Sequence, residues 1–473
     1  MLFNSFEFLI FFIITFGLYY LPGKFFQKNQ LVILLLASFF FYAFEKPVLL
    51  LLLLFSVLIN TICSYSIYKV SHEKAKRILT LGVVFNLGVL AFFKYSPLIA
   101  STLSKELSFN NGFLDLLISV PLPIGISFYT FEGISLLVDL HKGKTVLQYK
   151  ENTFYEHLTK TAFFISFFPH LIAGPILKAR EFYPQMGFKA FKDIQWEEAV
   201  KKIILGFFLK MVVADNLKDI TGTITFPYFQ GYSSGNLILL LFGYSMQIFA
   251  DFAGYSLIAI GLGALFGYSL PKNFNFPYIA SSFSEFWRRW HISLSTWLRD
   301  YLYISLGGNK KGEYRTYLNL FLVMLLGGFW HGAAWSYAVW GAMHGFFLLL
   351  ERFILKDKLK DMGRNYFGMF IVFIVVTFLW LLFKLSDFSH VVAYIQSMFQ
   401  NTSIKFKFGL NELSLVFYSA MIISYHLIYL RLTENAPVFK KYFGRFELLM
   451  YSLLLFLIFT NSGTQGSFIY FQF

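Results

Sequence analysis

Charge is scarce in this chain. Only 14% of its 473 residues are Asp, Glu, Lys or Arg, against roughly 25% in soluble domains. A water-soluble globule of this size would have too little polar surface to stay dispersed, which excludes that class. Cysteine is nearly absent. Cys63 stands alone, so there is no disulfide framework and no thiolate metal cluster. It lies in an apolar run and reads as a small buried hydrophobe. Familiar catalytic signatures are missing too. There is no H-E-x-x-H, no Walker loop and no G-x-G-x-x-G in a βαβ setting. Gly254-Tyr-Ser256-Leu-Ile only partly echoes the G-x-S-x-G of serine hydrolases. No histidine pair has ligand spacing beside a carboxylate, so neither a metal nor a bound cofactor is expected. Met1 to Glu7 carries no basic n-region, and no small-residue cleavage site follows. It reads as a retained first span rather than a signal peptide.

What is present is apolar and aromatic. The chain is 57% hydrophobic, with 63 Phe, 29 Tyr and 8 Trp, and its mean hydropathy is +0.60. Lipid removes the need for a polar surface, and aromatic side chains suit lipid-facing walls and interfacial belts. A spanning helix needs about 20 apolar residues. Candidate runs cover 6–21, 31–44, 48–67, 78–96, 113–140, 161–177, 203–214, 235–270, 317–350, 366–385, 412–432 and 446–461. These runs predict an all-α integral membrane protein, a multi-pass helical bundle of about ten to thirteen helices. Some runs are too long and others too short for one pass, so some helices are expected to be re-entrant or interfacial. No linker or internal repeat divides residues 1–473, which read as a single transmembrane domain. The net charge of +14 sits in loops, where it orients spans and attracts anionic lipid. Membrane lipids, not nucleic acid, are the partners it predicts.

Loop charge gives a coarse topology. Lys24 and Lys28 mark a cytoplasmic loop, and Glu45-Lys46 is a neutral turn outside. His72 to Arg77 is basic and inside, 97–112 reads as an outer loop, and Lys142, Lys144 and Lys150 are inside. Basic loops flank both ends of 161–177, which contains Pro169, His170, Gly174 and Pro175. A re-entrant segment lining a cavity fits better than a full span, because irregular backbone at membrane depth must be covered by protein or water. The polar stretch 271–315 faces the cytoplasm. Within it Phe283, Phe286, Trp287, Trp290, Leu294, Trp297, Leu298 and Tyr301 recur at three- and four-residue steps. They predict one amphipathic helix at the interface or capping the bundle, with Glu285, Arg288, Arg289 and Arg299 on its other face.

Two histidines stand out. At 100° per residue His291 falls on the apolar stripe of that helix, with Ser295 one turn on. A buried imidazole needs hydrogen-bond partners, so this position reads equally as a satisfied core histidine. His331 follows Trp330 in Leu325-Leu-Gly-Gly-Phe-Trp-His-Gly332, with no charged residue for about fifteen positions on either side. An intramembrane polar residue is by default a functional candidate. Gly327, Gly328 and Gly332 around it permit close backbone approach. His344 on the same run reads as a packed, neutral histidine. A neutral imidazole suits general-base work near pH 7.

Several segments in order resemble a known family. They are Leu122-Pro-Ile-Gly-Ile-Ser-Phe-Tyr-Thr130, Phe168-Pro-His-Leu-Ile-Ala-Gly-Pro175, Gln247-Ile-Phe-Ala-Asp-Phe-Ala-Gly-Tyr255, Asn275-Phe-Pro-Tyr278, Phe286-Trp-Arg-Arg-Trp-His-Ile-Ser-Leu294 and Gly328-Phe-Trp-His-Gly332. Together they resemble the membrane-bound O-acyltransferases, in the branch of the bacterial alginate O-acetyltransferase membrane subunit. Residues 1–350 carry the resemblance most strongly. It implies a helical fold around a buried tunnel, with catalytic residues at His331 and His291. Trp287, Arg288, Trp290, Ser295, Trp330, Asp251, Tyr255 and His170 lie in or beside its motifs and become candidates for lining the tunnel or touching substrate. Glu132 stands where many relatives are expected to have Gln.

The two lines of reasoning meet in one expectation. A membrane-bound O-acyltransferase would move an acyl group, acetyl by resemblance, from a cytoplasmic thioester such as acetyl-CoA. The acceptor would be a hydroxyl on an extracytoplasmic polysaccharide or a relay protein. The resemblance also implies the bacterial inner membrane and a periplasmic acetyltransferase partner. A multi-pass transporter with His331 in a proton relay is the rival. Against it stands the shortage of intramembrane carboxylates beyond Asp139 and Asp251, and of paired broken repeats.

Overall fold

The computed structural model describes residues 1–107, 112–119, 122–143, 153–355, 365–434, 436–466 and 468–469. Lys144 and Lys150, assigned above to a cytoplasmic loop, lie outside the described residues. The described chain is helical with no strand, and it is a multi-pass membrane protein. Among the described residues six helices are long and apolar enough to cross a membrane: Val48–Lys69, His72–Ser104, Ser234–Leu265, Trp335–Leu355, Tyr366–Lys384 and Leu410–Thr433. The apolar runs resolve into more and shorter helical pieces than they number. The run 113–140 is two helices, Gly112–Ile118 and Ile126–His141, and 317–350 is two more, Glu313–His331 and Trp335–Leu355. Residues 97–107 correct the topology above, since they continue helix His72–Leu107 with Pro97 inside it rather than forming an outer loop. A proline costs one ladder bond, and the remaining intrahelical bonds keep the backbone satisfied.

The chain divides into two compact units, residues 1–203 with 258–271, and residues 204–257 with 272–473. In the first, Val48–Lys69 and His72–Leu107 are joined by polar side chains. Asn60 and Asn86 exchange amide hydrogen bonds at 3.2 and 2.9 Å, tying the two helices together across their interface. Gly133 lets helix Ile126–His141 close on them, since a Cβ there would sit 2.6 Å from Asn60 Oδ1.

No helix runs through 161–177. Thr153 and Glu156 form a capping box that starts helix Phe154–Ser166. It stops at Ser166, a single turn Phe168–Leu171 carries Pro169, and irregular backbone follows to Lys178. This stretch is buried throughout. His170 lies here, its Nδ1 2.9 Å from the Glu132 carboxylate with neither side chain exposed.

In the second unit, helices Glu313–His331 and Trp335–Leu355 pack as a tight hairpin. Gly328 and Gly341 face each other, and a Cβ on Gly328 would lie 2.9 Å from Gly341 Cα. Small residues at the contact let two membrane helices approach closely. Glu351 on the second helix caps helix Phe283–Arg289, accepting from the backbone N–H groups of Phe283 and Ser284, the latter at 3.1 Å. Glu132 and Glu351 thus add to the buried carboxylates recognised in the sequence.

Candidate functional site

Residues 283–303 do not form the single helix their periodicity predicts. Helix Phe283–Arg289 ends, Trp290 is extended, His291 takes the left-handed conformation at φ 43° and ψ 53°, and helix Ile292–Trp297 begins. The break is stitched by the segment before it. Asn275 N–H donates to the Arg289 carbonyl at 2.9 Å, and Ile292 N–H donates to the Asn273 carbonyl at 2.8 Å. The freed backbone groups are therefore paired, as burial requires. An amphipathic pattern reports which side chains face the core, and it survives such a break because each half keeps its own phase.

The break hands His291 to Asn273. Both are buried. Asn273 Oδ1 accepts from the Ser293 backbone N–H at 3.3 Å and from the Ser293 hydroxyl at 2.9 Å, while its amide donates to Ser256 Oγ at 3.0 Å. A backbone N–H can only donate, so the atom facing it is the oxygen. His291 Nδ1 lies 3.1 Å from the same oxygen and must carry the proton. The neutral ring then presents a lone pair at Nε2. Burial holds His291 neutral, pulling its pKa down to about 3.

His331 ends helix Glu313–His331 and is buried. Its ring is walled by Trp330, Trp340 and Phe383, with centroids at 5.0, 5.1 and 5.3 Å. Gly332 lets the chain turn against the Tyr337 ring, which occupies the place of any Cβ. The His291 centroid lies 6.2 Å from that of His331. Trp330 flanks both, at 6.1 Å from His291. Phe252 meets the His291 ring edge-on at 4.7 Å.

The remaining candidates fall in different places. Trp287 lies 5.0 Å from His344, as does Trp340 at 4.7 Å, and the two tryptophan rings meet each other edge-on at 5.8 Å. Trp290 packs tilted against Trp380, with centroids 4.7 Å apart. Ser295 gives its hydroxyl to the Trp290 carbonyl at 3.3 Å, serving the helix break rather than the ring of His291. Arg288 is exposed, because the outer face of this two-turn helix points away from the core. The Tyr255 ring lies 4.6 Å from Phe468. Asp251 accepts from the Ile469 N–H and pairs with Lys210, both at 2.7 Å. His170 belongs to the first unit, with Glu132. Sequence reasoning missed Asn273, Ser293, Phe252, Trp340 and Phe383. Asn273 was findable, as an uncharged polar residue between Phe-rich stretches just before the Asn275-Phe-Pro-Tyr278 motif.

Comparison with known proteins gives the class of this polytopic chain. Residues 39–386 match the family model of the membrane-bound O-acyltransferases. The chain belongs to that family and is an O-acyltransferase. It is 39% identical to a probable alginate O-acetylase of Pseudomonas aeruginosa, over 84% of this chain and 75% of that protein. It is 36% identical to a peptidoglycan O-acetyltransferase of Helicobacter pylori, over 63% of this chain and 59% of that protein. It is 32% identical to a teichoic acid D-alanyltransferase of Bacillus subtilis, over 56% and 68%. The chain thus spans between about three fifths and three quarters of these relatives.

Proposed function

We propose that the protein transfers an acyl group, acetyl in the first instance, from a cytoplasmic thioester to a hydroxyl of an extracytoplasmic polysaccharide. A relay protein that passes the group to the polymer is the second possible acceptor. The membrane is the bacterial inner membrane, and a periplasmic acetyltransferase is the expected partner. The observation that carries the reading is the pair of buried imidazoles, His291 and His331, 6.2 Å apart inside an aromatic wall. In the step proposed, His331 takes the proton of the acceptor hydroxyl as its oxygen attacks the thioester carbonyl. The C–O bond forms, the C–S bond breaks, and the proton passes to the departing thiolate. General-base help of this kind typically contributes about 10²–10⁴-fold. His291 stays neutral, fixed by Asn273, and orients the acceptor oxygen or His331. A dry aromatic wall strengthens every dipole near the developing oxyanion and keeps water from the donor.

The names of the relatives support transfer to cell-surface polymers, and their difference in acyl group leaves that choice to experiment. The test is reconstitution in proteoliposomes, with acetyl-CoA inside and polysaccharide outside. Acylated polymer should be recovered by mass spectrometry from wild type and not from His331→Ala. Equal yields from the two proteins would end the proposal. Poor transfer until the periplasmic partner is added supports relay, and full transfer without it supports direct delivery.

A further inference from the structure

We propose that an apolar cavity in the second unit binds an uncharged lipid alcohol from the inner leaflet, held by a hydrogen bond from its hydroxyl to His426. The inference goes beyond the acyl-transfer reading and does not rest on it. The cavity measures about 280 Å³, close to the lower bound of about 300 Å³ for ligand sites. Three helices line it. Ser234–Leu265 gives Phe242 and Met246, Tyr366–Lys384 gives Phe370 and Phe373, and Leu410–Thr433 gives Ile423 and His426. Phe370 and Ile423 are exposed on helices able to cross the bilayer, so lipid is the solvent at the mouth. Its level is that of the inner leaflet. Tyr278, Tyr366 and Leu430 also line the cavity. Tyr366 opens its helix just after Lys356, Lys358, Lys360 and Arg364, Leu430 directly precedes Arg431, and Tyr278 belongs to the basic stretch 271–315. Positive-inside bias places all three at the cytoplasmic end.

One polar atom at this cavity is unmatched. His426 is buried, 3% exposed. Its Nδ1 lies 2.9 Å from the Ile422 carbonyl. A carbonyl can only accept, so Nδ1 carries the proton and the neutral ring keeps a lone pair at Nε2. Nε2 is buried and has no hydrogen-bond partner among the described residues. The rings around it do not supply one. Phe249 at 4.7 Å and Phe276 at 5.6 Å carry no donor, and the Tyr278 hydroxyl donates to the Ser245 carbonyl. A buried acceptor without a donor costs free energy that a bound O–H removes. Among the described residues no charged side chain lines the cavity. A phosphate or ammonium headgroup would therefore be buried there unpaired. The ligand that fits has an apolar chain, one hydroxyl and no charge.

Occupancy reaches the imidazole pair through one segment. Tyr278 lines the cavity and lies five residues after Asn273, which holds His291. Between them Phe276 keeps a left-handed backbone at φ 50°, its ring stacked on Tyr429 at 3.7 Å. The Tyr278 ring in turn lies 5.4 Å from His426 and 6.2 Å from Trp290, the residue before His291. A lipid seated against Tyr278 and His426 braces this segment where its backbone is least relaxed.

The test uses the full chain in nanodiscs of phosphatidylcholine, a lipid with no O–H or N–H donor. The probes are dioleoylglycerol and its methyl ether, which keeps the chains and loses only the donor. Native mass spectrometry counts the bound probe. The alcohol should bind wild type about fivefold more tightly than the ether, the scale of one hydrogen bond. His426→Phe keeps a ring and loses the acceptor, and it should bring the two probes within about twofold of each other. Equal binding of both probes to wild type, or a preference that survives in His426→Phe, would overturn the site and leave the groove to packing against another helix. Ile423→Trp, on the exposed rim, keeps the test if the histidine variant fails to fold. Its bulk should weaken both probes about fivefold or more by filling the cavity, and unchanged binding counts against the site. Saturating alcohol should also raise the melting temperature of wild type by about 2–4 °C. Equal shifts from alcohol and ether would again remove His426 from the recognition.

Discussion

Asn273 and His291 are bound through a single oxygen, Asn273 Oδ1, which lies 3.1 Å from His291 Nδ1 while accepting two hydrogen bonds from Ser293. That oxygen settles which ring nitrogen carries the proton. Replacing it should therefore act on chemistry more than on folding. Asn273→Asp keeps an acceptor and should retain most activity. Asn273→Leu should lower kcat at least tenfold with a smaller change in KM. A kcat that does not separate the two variants would show that the contact is only structural.

His331→Ala should remove about two decades or more of turnover, the range of general-base catalysis. Its expression and detergent melting should stay near wild type, because the aromatic wall around it persists. Steady-state assays with donor and a purified acceptor measure this. Near-normal turnover would reassign the base.

His291 gives a pH signature. Its folded value is about 3, below the ordinary value near 6.5. Between these values the unfolded chain holds a proton that the folded chain does not. Stability is thus complete above about pH 6.5 and declines as pH falls toward 3. Melting of wild type should drop from pH 7.5 to pH 5 more steeply than that of His291→Gln. Parallel slopes would mean the imidazole is not held neutral.

Lys210→Met should destabilise the protein by about 3–5 kcal/mol, the scale for removing one partner of a buried ion pair. The carboxylates of Asp215 and Asp251, each 2.7 Å from its ammonium, would be left without their cation. The triple change Lys210→Met, Asp215→Asn, Asp251→Asn should recover much of the loss. Melting curves of the two variants decide it, and no recovery would show that Lys210 acts through packing alone.

Gly328→Ala should open the hairpin of helices Glu313–His331 and Trp335–Leu355. Its new methyl group would meet the Tyr337 carbonyl and the Gly341 backbone. Overpacking of this kind costs about 1–3 kcal/mol. Activity should fall with it, since His331 stands three residues on. Unchanged melting and turnover would show that the helices slide apart freely.

Much of this was legible in the sequence. Apolar runs and loop charge gave the membrane class, and the isolation of His331 in a glycine-flanked run marked it at once. The periodicity of 283–302 put His291 on the buried face. It could not reveal the break at Trp290, because hydrophobic phase is preserved when two short helices meet at a turn. The partner Asn273 lies eighteen residues upstream, joined by backbone pairing that no local pattern encodes. The proline in 169 warned of irregular backbone. The near absence of charge in 97–112 suggested an outer loop, yet 97–107 continue a helix that carries Pro97 within it. Asp251 was noticed in its motif, but its tie to Lys210 depends on helix packing at Gly254, where a Cβ would lie 2.9 Å from the Lys210 backbone nitrogen.

The left-handed backbone at His291 has a consequence for anyone altering the protein. Such a conformation costs a residue with a Cβ roughly 1–3 kcal/mol, and glycine or asparagine adopts it more readily. The position therefore asks for one residue to suit the main chain and another to suit the reaction. His291→Asn relieves the backbone and keeps a polar side chain, so its melting should stay near wild type while transfer is crippled, whereas His291→Gly also empties a buried ring site. A screen for thermal tolerance would keep the asparagine variant, and a screen for product would discard it. Improvement of this protein by stability alone would lead away from its chemistry at the very residue where helix and site are joined.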